Sequence, residues 1–173
     1  LGVDISEQLV ASARAHRVPN ATFVVGNAAT HPFEPASYDL VFSRFGVMFF
    51  AHPEAAFANL LSALRPGGRL AFVCWQKIDA NPWMFLPTLA AMQHVAIQRP
   101  TDPHAPGPFA FAEPARVRHI LERSGFAQVD IVPHPVTMRF GEAATLAGAV
   151  RELVNIGPVS RLVAGIEPGL LEK

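Results

Sequence analysis

The sequence predicts an open α/β sheet of parallel strands with helices on both faces. Three observations carry that expectation. Residues 37–75 read in order as strand, loop, amphipathic helix, Pro-Gly-Gly turn and second apolar strand, a crossover unit that joins parallel strands. Strand-like and helix-like stretches then alternate through residue 132, the order that layers helices over a parallel sheet. Finally, Leu40-Val41-Phe42 is a continuous apolar run, as expected of a strand buried on both faces. Open sheets of this kind bind ligands beyond the carboxyl ends of their strands.

Taken in chain order, Gly2-Val3-Asp4-Ile5 is a short apolar run interrupted by an acid, and Ser6 is placed to cap the helix that follows, roughly residues 7 to 16. Val18-Pro19-Asn20 ends that helix, and Ala21–Val25 reads as a strand. Residues 26–35 form a loop marked by Pro32 and Pro35, and Tyr38–Ser43 is the next strand. Pro53 suits the first position of a helix, with Glu54 near its positive end. Phe57, Leu60, Leu61 and Leu64 then form one stripe. Pro66-Gly67-Gly68 stops the helix and reverses the chain into a strand over Arg69–Trp75. Residues 81–99 read as mostly helical, with Pro82 near the start and Pro87 as a kink. Residues 100–108 carry four prolines and form a loop. Residues 113–124 are helical through the Val117, Ile120, Leu121 stripe, with Gly125 as the left-handed cap and Phe126 folding back. Gln128–Val132 is expected as a strand that pairs with Val136–Phe140 or continues past Pro133 and Pro135. Leu146, Val150, Leu153 and Val154 mark a last amphipathic helix, which Gly157-Pro158 separates from a helical tail.

Composition narrows the function classes. A chain of 173 residues, half of them hydrophobic, can bury a sizeable core as one domain. Its formal net charge is zero, so no electrostatic attraction to nucleic acid or an anionic membrane is expected. The cations are twelve Arg against two Lys, read as base composition rather than a binding surface. No apolar run approaches the ~20 residues of a membrane span and no signal peptide is visible, so a cytoplasmic protein is expected. The single cysteine, Cys74, lies in an apolar run and reads as an inert buried thiol.

The residues able to carry chemistry sit just after strands. Asp4 ends the first strand, where a carboxylate can accept hydrogen bonds from both hydroxyls of a ribose, although a surface Asp before a helix has the same pattern. After the second strand, Asn27 can face an adenine amino group and the Ala28 backbone N–H a ring nitrogen, while a plain turn would look alike. Ser43 and Arg44 end the third strand and point into the same crevice unless Arg44 faces solvent. The Phe45–Phe50 segment reads either as core or as the floor of a substrate pocket. The seven His residues never recur at a metal-ligand spacing, so no metal site is expected; His31 and His52 are candidate bases near the crevice. Neither a Gly-x-Ser-x-Gly elbow nor a phosphate loop with Lys is present.

Four motifs in register, Gly2-Val3-Asp4-Ile5-Ser6, Gly26-Asn27-Ala28 with His31-Pro32-Phe33, Tyr38-Asp39-Leu40-Val41 and Leu64-Arg65-Pro66-Gly67-Gly68-Arg69-Leu70, span residues 1–76. Through them the chain resembles class I S-adenosylmethionine-dependent methyltransferases, in particular the bacterial small-molecule group with the type 11 domain. That resemblance implies a Rossmann-like, doubly wound sheet and S-adenosyl-L-methionine as cofactor. It implies that Asp4 binds the ribose hydroxyls and that Ile5 packs on the adenine face. Asn27 and Ala28 would lie at the adenine edge, with Ser43 and Arg44 near the methionine moiety and the methyl group. The family usually has Asp at the position of Asn27, so the acceptor is kept and the charge lost.

Family members place a strand and a Gly-rich loop before the segment that begins here. The chain is therefore expected to be one partial methyltransferase domain, lacking the first strand and that loop. Residues 1–76 would form the cofactor-binding half, and 77–173 the variable substrate-side part in which Trp83, Met84 and Phe85 shape an acceptor pocket. The expected reaction is methyl transfer to O, N or C of a small molecule, by positioning rather than by a triad or a metal. Two other classes stay open at this stage. One is an NAD(P)-dependent oxidoreductase, whose sheet also ends a strand with a ribose-binding acid; the other is a non-catalytic binding module.

Overall fold

Parallel strand pairing, the requirement of the predicted architecture, is met by two ladders. In the computed structural model, which describes residues 1–93, 102–137, 145–153 and 160, strand β1 (Gly2–Asp4) pairs with β2 (Phe23–Val25), and β3 (Tyr38–Arg44) pairs with β4 (Leu64–Val73), both parallel. Among the described residues β1 and β3 share no ladder. The chain divides into two compact units, one of residues 1–74 with 106–131 and the other of residues 75–105 with 132–173.

In the first unit, helix α1 (Glu7–Ala15) starts where Ser6 accepts a hydrogen bond from the Leu9 N–H at 3.2 Å, which satisfies one of the four unpaired donors of a helix start. The Arg14 guanidinium donates to the Phe23 carbonyl at 2.7 Å and so ties the helix to β2. Helix α2 (Pro53–Ala63) has Pro53 in its first turn and buries Ala56, Phe57, Leu60 and Ala63. Leu64, expected on its stripe, is buried as the first residue of β4. Helix α4 (Pro114–Arg123) buries Val117, Ile120 and Leu121 as the spacing requires, and Gly125 follows at φ +100°. The Phe126 N–H then donates to the Leu121 carbonyl at 3.1 Å, so the chain turns back.

The core of this unit is aromatic. Phe57 is fully buried; its ring centroid lies 5.6 Å from Phe72, 5.7 Å from Phe50 and 5.9 Å from Phe111. Phe111 and Ala110, beyond the proline-rich loop, are core residues that no periodicity marks. The Ser124 hydroxyl, also buried, lies 2.7 Å from the Ile120 carbonyl and 3.0 Å from the Glu54 carbonyl, bridging α4 and α2.

Four local expectations are corrected. Pro66-Gly67-Gly68 is not a turn ahead of β4 but an irregularity inside it. The register runs Tyr38↔Leu64 and then Leu40↔Arg69, so the extra residues bulge out, with Gly67 at φ +80°. That strand ends at Val73 instead of Trp75. Strand β3 is not buried on both faces: Leu40 and Phe42, two apart and so on one face, are exposed and line a cleft. Residues 128–137 hold no strand; the Arg118 guanidinium takes the Val129 carbonyl at 2.6 Å, and Pro133 and Pro135 supply no N–H for a ladder. The proposed partner positions 138–140 lie outside the described residues, as do 94–99, Val154 and the Gly157-Pro158 tail.

In the second unit, helix α3 (Pro82–Ala91) has Pro at its start, Pro87 within it, and Met84 buried. The Trp75 and Trp83 ring centroids are 5.4 Å apart. Helix α5 (Leu146–Leu153) follows Thr145, whose hydroxyl accepts from the Gly148 N–H at 3.2 Å. No described helix is long and apolar enough to cross a membrane.

Candidate functional site

A cleft of about 590 Å³ in the first unit is lined by residues of β1 and β3 and of the segments that follow β1, β2 and β3. All six residues singled out in the sequence line it: Asp4, Ile5, Asn27, Ala28, Ser43 and Arg44. They follow three strands: parallel pairing sets the β1 and β2 ends side by side, and the end of β3 lines the same cleft.

Asp4 closes β1. One carboxylate oxygen accepts the Ser6 N–H at 2.8 Å, which turns the carboxylate across the start of α1. The second oxygen has no hydrogen-bond partner among the described residues, and the residue is exposed at the cleft wall. Ile5 beside it is 74% exposed, a large apolar surface facing the cleft with nothing packed on it.

The loop after β2 is strongly organised. The Gly26 N–H donates to the Asp4 carbonyl at 2.9 Å, and the Asn27 carbonyl accepts from Thr30 and His31 at 3.0 and 2.8 Å. The Asn27 side-chain oxygen does not point free into the crevice: it accepts the Ala29 N–H at 3.0 Å, as Asn does in such turns. The Ala28 N–H makes no hydrogen bond within the described residues, and Ala28 lines the cleft, so a backbone donor is available there. A residue that the sequence reading did not single out holds the loop from outside. Asn59, half-buried on α2, donates to the Ala28 carbonyl at 3.3 Å and to the His31 carbonyl at 3.0 Å. Its one sequence signal is a polar side chain inside an Ala- and Leu-rich helix.

At the third strand, Ser43 is half-buried and Arg44 exposed. Gly46 sits close beside Ser43: a Cβ there would stand 3.0 Å from the Ser43 hydroxyl, which would have to shift. Phe45 adopts φ +59°, a left-handed conformation that costs a non-glycine residue about 1–2 kcal/mol. The Phe45–Phe50 segment divides between both readings: Val47 and Met48 are core, while Phe45, Phe49 and Phe50 line the cleft. His31 and His52 are not among the lining residues; His31 stands edge-on to Phe33 at 4.7 Å and His52 precedes α2. Among the described residues no group of three His, Cys, Asp or Glu could hold a metal ion.

The arrangement suits an adenosine-bearing ligand: acceptors for vicinal hydroxyls, an apolar platform and a backbone donor at the far edge of a ring. Comparison with known proteins agrees. Residues 1–72 match a family described as a methyltransferase domain. Over 162 residues the chain is 30% identical to malonyl-[acyl-carrier protein] O-methyltransferase of Methylococcus capsulatus, an alignment covering 91% of this chain and 52% of that protein. Over 60 residues it is 38% identical to the ubiquinone/menaquinone biosynthesis C-methyltransferase of Rhizobium leguminosarum, covering 35% of this chain and 23% of that one. The chain thus spans about half the length of the first relative and about a quarter of the second. A solved structure of Haemonchus contortus phosphoethanolamine N-methyltransferase 2, in complex with phosphomonomethylethanolamine and S-adenosylhomocysteine, aligns over 99% of this chain and 36% of that one. At a TM-score of 0.50 and 18% identity, that likeness is one of fold.

Proposed function

We propose, from the match of residues 1–72 to a methyltransferase domain and the likeness to named methyltransferases, that the protein is a class I S-adenosylmethionine-dependent methyltransferase that transfers a methyl group from S-adenosyl-L-methionine to an O, N or C atom of a small molecule. The observation that carries this reading is the meeting of Asp4, Ile5, Asn27, Ala28, Ser43 and Arg44 on one cleft. Relatives named for O- and C-methylation support the range of acceptor atoms.

In this reading the free Asp4 oxygen accepts the ribose hydroxyls, and Ile5 takes one face of the adenine. The Ala28 N–H donates to a ring nitrogen, and Asn27 shapes the turn that presents it. Ser43 and Arg44 border the methionine part. When bound, the cofactor would supply an already activated methyl, which passes to the acceptor atom as its bond to the sulfonium sulfur breaks and leaves S-adenosylhomocysteine. The protein's contribution is then to fix the two partners and exclude water, for which Phe45, Phe49 and Phe50 form an apolar wall. Residues 1–76 would carry cofactor binding and 77–173 the acceptor side.

The test is calorimetric titration of S-adenosylhomocysteine into full-length protein with and without Asp4→Ala. The expected loss is about tenfold to a hundredfold in affinity, as for removal of a charge-assisted acceptor. Unchanged affinity removes the ribose assignment.

A further inference from the structure

We infer that Asn59 is the positioning residue of the cofactor cleft: it holds the 27–31 loop so that the Ala28 N–H reads the adenine edge. The inference rests on the reading of the cleft as an adenosine site. The Asn59 amide has two protons, and both are spent on this loop, at 3.3 Å to Ala28 and 3.0 Å to His31. The contacts reach back 31 and 28 residues, so they report tertiary placement rather than local helix geometry.

The other end of the loop is fixed by the Gly26 N–H on the Asp4 carbonyl. One end of the loop is therefore attached to the residue proposed to hold the ribose, and the other to α2. Ribose and adenine are joined by one bond and present their polar groups at a nearly constant separation. A site that grips both must hold its own contacts at a matching separation before the ligand arrives, or lose affinity to ordering. Within the loop, the Asn27 carbonyl and side-chain oxygen are consumed by the turn itself. The Ala28 carbonyl has no partner but Asn59 among the described residues. The peptide that carries the Ala28 N–H is set within the turn by the Asn27 carbonyl, and the next one by the Ala29 N–H on the Asn27 side chain, so the turn is positioned as a unit. Without the Asn59 bonds that unit loses its anchor to α2, and the Ala28 N–H its placement at the cleft. Asn59 does not line the cleft, so its effect on the ligand passes through the loop.

Full-length wild type, Asn59→Ala, Asn59→Asp and Ser124→Ala are titrated with S-adenosylhomocysteine and with S-inosylhomocysteine, whose ring carries an oxo group in place of the amino group and a proton on the neighbouring nitrogen. Wild type is expected to prefer the adenosyl ligand by about tenfold, the scale of one well-placed hydrogen bond. In Asn59→Ala the preference falls to within about twofold, and adenosyl affinity drops by about tenfold. Asn59→Asp keeps the shape but turns an acceptor toward two carbonyls, so it loses the preference too, and it decides the matter if the alanine variant does not fold. Ser124→Ala loosens α2 at Glu54 without touching the loop, and keeps the wild-type ratio. A wild-type ratio preserved in both Asn59 variants overturns the inference and leaves the adenosine reading standing, as does a wild type that binds both ligands alike. A ratio lost equally in Ser124→Ala overturns it as well, since general loosening of α2 would then suffice. Wild type that binds neither ligand overturns the adenosine reading, and this inference with it.

Discussion

Asp4 and Asn27 look alike in the sequence, each a polar side chain just after a strand, and the structure uses them differently. Asp4 spends one oxygen on Ser6 and keeps one, whereas Asn27 spends its oxygen on its own turn. The difference is in available lone pairs: a carboxylate has two equivalent oxygens, and an amide has one. The sequence therefore places Asn27 and Ala28 beside one cleft but does not say which of their atoms remains free. Cys74 shows the same limit. Its apolar run predicts burial, and the thiol is half-buried with its sulfur 3.7 Å from the Phe111 carbonyl. Burial pushes the thiol above its ordinary value, because the thiolate loses hydration. The folded protein thus keeps its proton where the unfolded chain ionises, so this group lowers stability as pH rises past the ordinary cysteine range. Thiol-reagent labelling at about pH 8 should be slower in native than in urea-unfolded protein, and the difference should shrink as pH rises. Equal rates would show that the thiol is not desolvated.

Among the elements, helix bounds are more legible in the sequence than strand bounds. Helices α1, α2 and α4 fall within a residue or two of their expected bounds, because caps and 3.6-residue spacing are local signals. Strand extent depends on the partner. Strand β4 begins inside what reads as a turn because Leu64 finds Tyr38, and Gln128–Val132 stays outside any sheet because no described strand pairs with it. The bulge gives a sharp comparison. A Cβ on Gly67 meets nothing within 4 Å, so Gly67→Ala costs only the left-handed backbone, about 1 kcal/mol. A Cβ on Gly68 would stand 2.9 Å from the Arg65 carbonyl and 3.1 Å from the Tyr38 carbonyl, both main chain. Gly68→Ala should cost more, about 2–3 kcal/mol, by urea denaturation. The reverse order would mean that the bulge is not held by Tyr38.

At the scale of the molecule, the first unit depends on one aromatic cluster that draws on segments far apart in the chain. Phe57 and Phe72 come from the crossover unit, and Phe111 from beyond the proline-rich loop. Phe57→Ala should lower stability by about 3–5 kcal/mol, a large part of the ~5–15 kcal/mol typical of a domain. A thermal scan showing little change would place the core elsewhere. The same unit holds the cleft, so the variant should also weaken S-adenosylhomocysteine binding near its lowered melting temperature. The match of residues 1–72 to a methyltransferase domain favours methyl transfer over the nicotinamide alternative that the strand-end acid alone left open.

The amino-acid sequence by itself determined the order of elements, the helix bounds, the likeness to a methyltransferase domain and the six residues that line the cleft. Each of these is encoded by caps, periodicity and short motifs within a few tens of residues. Tertiary structure alone decided which oxygen of Asp4 is free, where β4 begins, that Phe111 belongs to the core, and that Asn59 reaches across to the loop. Those outcomes depend on atoms brought together from distant parts of the chain, and no local pattern records how such atoms share their hydrogen bonds and their space.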